Sequence, residues 1–186
     1  MITSDDLRNL RAGPVIAAGR MSDATVRGLV ANHGLKLGDR EARETGNPRY
    51  DLADCARVFM LHLLMNKARQ PGAAAVWAVN AAYPYISEIA EAELCAIDTG
   101  DAPECPRYEA VLSVFSLDVE TNPEIRLWSD PRSVADRESS RGLCGMIVWD
   151  LREIVRYARD QLVTELGHSS LHDLRHDFAD APEGNE

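Results

Sequence analysis

Arg20, Ser22, Thr25 and Arg27 lie close together in GRMSDATVRGLVANHGL, the stretch from Gly19 to Leu35. Guanidinium groups donate hydrogen bonds in a planar fork that fits phosphate oxygens and guanine edges, and hydroxyls bond to either. A second basic set follows at once, Lys36, Arg40, Arg43 and Arg49, with Tyr50 directly after it. The chemistry these residues can perform is holding a polyanion in register and reading base edges. Asp39, Glu41 and Glu44 dilute the second set, so one copy is expected to bind weakly and a pair to gain by avidity.

Other candidate chemistry is thinner. His168, His172 and His176 have the spacing of metal ligands on one helix face, with Asp173 and Asp177 adjacent. Gly167 is expected to end the helix before them, so the segment reads as a solvated tail and no metal site is assigned. Asp150 reads as a helix N-cap rather than a catalytic acid. There is no G-x-S-x-G, no Walker-type glycine loop and no nucleophile–base arrangement, so no enzyme and no cofactor are expected. Arg132, Arg137 and Arg141 read as a surface loop. Cys55, Cys95, Cys105 and Cys144 form no C-x-x-C pair and read as free thiols, Cys55 as a small core residue. Trp77, Trp128 and Trp149 are expected to anchor a core or an interface.

The elements that must position the basic residues follow from caps and periodicity. Ser4 can cap a short helix over 5–11, which Gly13-Pro14 ends, and Val15–Ala18 can form one more turn. Ser22 caps the next helix, where Val26, Leu29, Val30 and His33 share one face. Asp23, Thr25, Arg27, Gly28 and Asn32 are left facing outward or sideways, and Gly34 closes the helix. Residues 35–49 are polar and turn-rich and fit a small hairpin, or wing. Asp51 caps a helix over 52–67 that is apolar on most faces, hence buried. Residues 73–94 are Ala-rich and helical, and Pro84 must kink or split them. Residues 98–107, with two prolines and a glycine, read as a linker. Alternation over 110–119, with short apolar runs at 124–128 and 143–149, predicts three strands. Leu151, Ile154, Val155, Ala158, Leu162 and Leu166 then mark an amphipathic helix.

Charge is divided along the chain. Residues 1–70 hold 11 of the 20 Lys and Arg against 8 of the 30 Asp and Glu; the remainder holds 9 against 22. The formal net charge of −10 therefore belongs to the C-terminal two thirds. Phosphate attraction acts over roughly a Debye length of ~8–10 Å, so the local excess of cations near the start decides. No apolar run has the length of a membrane span, and the N-terminus carries acids where a secretory signal would carry basic residues. A cytoplasmic location is expected.

The order helix, SDATVRGLVANHGL, basic turn-rich segment and NPRYDLADCARVFMLHLL resembles the winged-helix head of MerR-type DNA-binding proteins, over about residues 14–70. The matching features are Ser22 opening the second helix, Arg27 within it, Gly34-Leu35 closing it, Arg49-Tyr50, and Asp51 with its helix. A similar head occurs in phage excisionases and small terminase subunits. The resemblance implies Arg20, Ser22, Thr25 and Arg27 as helix contacts to DNA, and Lys36, Arg40, Arg43, Arg49 and Tyr50 as wing residues.

The expected architecture is α+β: an N-terminal winged helix-turn-helix, a helical connector, and a small C-terminal domain with about three strands and a packed helix. The divisions are a head at 1–70, a connector at 71–106, a dimerisation or partner domain at 107–167 and a polar tail at 168–186. The expected function is a sequence-specific DNA-binding transcriptional regulator whose partner is double-stranded DNA. It is expected to act as a homodimer, with the acidic C-terminal region open to a protein partner. The alternatives are an excisionase-like or small-terminase-like assembly protein, or an interaction module that does not bind DNA.

Overall fold

The computed structural model describes residues 2–38, 48–102, 108–114, 123–127 and 145–179, with backbone alone at 109–114, 123–127, 145–148 and 168–179. Three helices open the chain: α1 (Ser4–Arg8), α2 (Ala12–Ala18) and α3 (Asp23–His33). Then follow α4 (Leu52–His62), running into a π-helical turn at Leu63–Lys67, and α5 (Gly72–Thr99). Strands β1 (Tyr108–Val114), β2 (Pro123–Leu127) and β3 (Gly145–Asp150) precede the last helix, α6 (Leu151–Ala179).

Local chemistry sets these boundaries. Thr3, not Ser4, caps α1: its hydroxyl accepts from the Asp6 amide and the Asp6 side chain accepts from Thr3 N–H, a capping box. Pro14 falls in the first turn of α2, where a missing N–H costs nothing. Ser22 caps α3 through the Thr25 amide at 3.2 Å, and Gly34 ends it at φ +69°. Asp51 and Asp54 form a second capping box on α4.

The core is helical. Every residue from Leu52 to Leu61 is buried, so α4 is the central rod of the molecule. Around it pack α2, α5 and α6, and α3 packs on α5. Close approach has a sequence cause at Gly19, where any Cβ would overlap the Val58 side chain. Charge ties the periphery: Arg8 reaches Glu91 at 2.6 Å, Ser4 donates to Asp98, and buried Glu93 on α5 receives both Arg156 and Arg159 of α6.

The expected fold class needs correction, because the chain is mostly helical rather than α+β. The strands form only a short antiparallel patch in the order β2-β1-β3. β1 pairs with β2 from Tyr108↔Leu127 to Leu112↔Pro123, and with β3 from Glu109↔Asp150 to Val114↔Gly145. The apolar stripe of α6 explains the difference. Leu151, Ile154, Val155, Ala158 and Leu162 are buried chiefly where α6 meets α4, α2 and α5, not on a sheet of their own.

Helix α5 is not split at Pro84, and Ala82, Ile86 and Ile89 are buried on either side of it. A helix-interior proline costs about 3 kcal/mol, which that burial outweighs. Nor does Gly167 end α6. It is not among the glycines with positive φ, and an interior glycine costs only about 1 kcal/mol, so the backbone continues to Ala179. The histidine side chains 168, 172 and 176 lie outside the described residues. So do the wing at 39–47, the linker end at 103–107, and Trp128, Arg132, Arg137, Arg141, Cys105 and Cys144.

Candidate nucleic-acid interface

Helix α3 turns Val26 and Leu29 into the core and leaves Ser22, Asp23, Thr25, Arg27 and Asn32 exposed, as its spacing implies; Val30 is half-buried, and His33, expected on the apolar face, is exposed at the helix end. The Ser22 and Thr25 hydroxyls bond each other at 2.7 Å. Arg27 is 79% exposed and pairs with Asp23 one turn back. Such surface pairs contribute only ~0.3–0.5 kcal/mol, so a stronger anion can displace the carboxylate.

Arg20 has a different setting. It sits in the left-handed region at φ 57°, strained for a non-glycine residue. Its carbonyl faces His62 Nδ1 at 3.0 Å, and Asn66 bonds the same ring nitrogen at 3.0 Å. Its guanidinium lies 5.2 Å over the Tyr157 ring of α6, which in turn stacks on Phe59 at 4.3 Å. Arg20 therefore links the turn before α3 to the C-terminal helix.

Lys36, Arg49 and Tyr50 are brought together at the stem of the 39–47 segment, with Arg40 and Arg43 outside the described residues. Leu10 and Tyr50 exchange backbone hydrogen bonds of 2.8 and 3.1 Å, which fix the returning strand against the chain before α2. Gly38 is required at its position: its φ is +69°, and a Cβ there would come 2.9 Å from the Arg49 carbonyl and 3.2 Å from the Tyr50 ring. Tyr50 is half-buried beneath the stem. Lys36 and Arg49 are exposed and have no ion-pair partner among the described residues.

Beneath the stem lies a buried network absent from the sequence expectations. Asp54 accepts from Gly38 N–H at 3.0 Å and from Arg57 Nη1 at 3.2 Å. Arg57 Nη2 donates to Asn80 Oδ1 at 3.0 Å, and its guanidinium sits 4.6 Å over the Tyr83 ring. Asn80 also receives the Lys36 amide and donates to the Gly34 carbonyl. Burial pushes the Asp54 carboxyl up to about 6, with Asp51 adding to the rise and Arg57 opposing it. Burial likewise pulls Arg57 down from its ordinary value. The signal available in sequence was the Asp-x-x-Arg pair inside the otherwise apolar LADCARVFML: two opposite charges on one helix face, in a run that must be buried.

Trp77, expected as an anchor, is 55% exposed on α5, whereas Trp149 is partly buried. Among the described residues no three His, Cys, Asp or Glu side chains converge as metal ligands, and no helix is long and apolar enough to cross a membrane. Comparison with models of known protein families gives no match, and comparison with curated proteins gives none either.

Proposed function

We propose that this protein is a cytoplasmic, sequence-specific DNA-binding regulator that acts in the manner of MerR-type winged helices. Helix α3 enters the major groove, Thr25 and Arg27 meet base edges, and Lys36 and Arg49 at the stem hold flanking phosphates. The observation that carries this reading is the division of α3. Its apolar side is seated in the core, while a polar side bearing Arg27 is uncovered, and α3 leads directly into a stem whose Lys36 and Arg49 make no ion pair among the described residues. A homodimer would place two such heads on one site, with exposed Trp77 as an anchor for the second copy.

Fluorescence anisotropy on duplexes selected from a random pool tests the reading. Arg27→Ala should cost about 1–3 kcal/mol and relax the preference at one base pair. Lys36→Ala and Arg49→Ala should weaken all duplexes alike and each lower the salt slope by about 1. Absence of binding at low salt, or an unchanged affinity for Arg27→Ala, overturns it.

A further inference from the structure

Between the stem and α5 lies a cavity of about 540 Å³, a volume typical of small-molecule sites. Lys36, Arg49, Tyr50 and Asp51 from the stem and the start of α4 line it together with Arg57, Asn80 and Tyr83. Most of the polar groups here are consumed by the fold. Asn80 uses both ends of its amide, and Arg57 is committed to Asp54 and Asn80.

Two features are not consumed. Lys36 and Arg49, two cations that line the cavity, make no ion pair with any described residue. Tyr83, which lines it too, is 43% exposed, although the Arg57 guanidinium covers part of its ring. A ring held in place by a cation on one side is a ready platform for a second flat group on the other. Two cations and an aromatic ring lining one cavity match a ligand with an anionic end and a planar end. An inorganic anion alone would occupy only a corner of the space. One Asp51 oxygen is engaged by the Asp54 amide, and among the described residues the other has no donor, so it can take a hydroxyl or amino group.

We propose that this cavity binds a nucleoside monophosphate, with its phosphate on Lys36 and Arg49 and its base against Tyr83. The site goes beyond the DNA-binding reading and does not depend on it. A ligand there touches both the stem and α5, the two parts that the Asp54–Arg57–Asn80 network already joins.

Calorimetric titration of the full chain, without DNA, tests this with the four common nucleoside monophosphates, the matching nucleosides, inorganic phosphate and a short duplex. At least one monophosphate should bind at one per chain, about tenfold or more tighter than its nucleoside or phosphate. Lys36→Ala/Arg49→Ala should reduce it to the nucleoside's level, and Tyr83→Ala to the level of phosphate. Lys36 and Arg49 are exposed, so the melting curve of that double variant should match the parent; Tyr83→Ala also uncovers Arg57 and should melt lower, so Tyr83→Phe, which keeps the ring, serves as its control and should retain nucleotide affinity. Four outcomes overturn the proposal: no saturable binding of any monophosphate up to roughly 10 mM; wild-type affinity in both variants; phosphate binding as tightly as the nucleotide; or dependence on these residues for the duplex alone. Failure to bind any duplex, with nucleotide binding intact, would remove the DNA-binding reading and leave this one standing.

Discussion

At the residue scale, the buried Asp54–Arg57 pair governs how the stem is held. Asp54 is 5% exposed and its carboxyl is raised from 3.8 to about 6. Between these values the folded chain keeps a proton that the unfolded chain has released. The unfolded state binds fewer protons there, so this group's contribution to stability falls as pH rises from about 4 to 6 and is level above. Urea unfolding across that range should show the parent losing up to ~3 kcal/mol relative to Asp54→Asn, from about two units at 1.36 kcal/mol each. A parent-to-variant difference that stays constant with pH would refute the assignment. Asp54 and Arg57 were readable as a charged pair in an apolar run. Their partners Asn80 and Tyr83 were not, since they come from α5, more than twenty residues further along.

At the element scale, helix contacts rest on small local features. Gly19 lets α2 meet α4 at Val58, so Gly19→Ala should destabilise by about 1–3 kcal/mol through overpacking. Adding Val58→Ala should recover part of that loss, and a strictly additive double variant in thermal melts would argue against direct contact. Glu93, 1% exposed, is the seam between α5 and α6, with Arg156 at 2.8 Å and Arg159 at 2.5 Å. Removing both arginines leaves a buried carboxylate unpaired and should cost roughly 3–5 kcal/mol, whereas Glu93→Met should cost far less. Equal losses in chemical denaturation would show that the carboxylate is already solvated. The caps Ser22 and Asp51 and the closing Gly34 were legible because capping uses neighbouring residues. That Pro84 does not split α5 was not legible, because the burial of Ala82, Ile86 and Ile89 offsets its penalty of about 3 kcal/mol; Gly167 misled because an interior glycine costs only about 1 kcal/mol.

At the scale of the whole molecule, α6 crosses back onto the start of the chain. Cys55 lies against both Val15 and Ala158, so residues from α2, α4 and α6 meet at one point of the core. Leu162→Ala, on the far helix, should therefore lower the stability of the N-terminal helices as well, by roughly 2–5 kcal/mol. One cooperative transition, followed by circular dichroism and by hydrogen exchange at α3, is expected. Separate transitions for the two regions would contradict a shared core. Arg20 over Tyr157 extends the same connection to the turn before α3.

By itself the sequence determined the caps of α3 and α4, the inward turn of Val26 and Leu29, the burial of α4 and the uneven charge, because each depends on residues within a few turns of one another. Only the tertiary structure decided that α6 covers the N-terminal helices, that the chain is mostly helical, and that Lys36, Arg49 and Tyr83 line one cavity. Those outcomes hinge on which apolar surfaces find each other. Periodicity states that a face must be buried, but it carries no record of the partner that buries it.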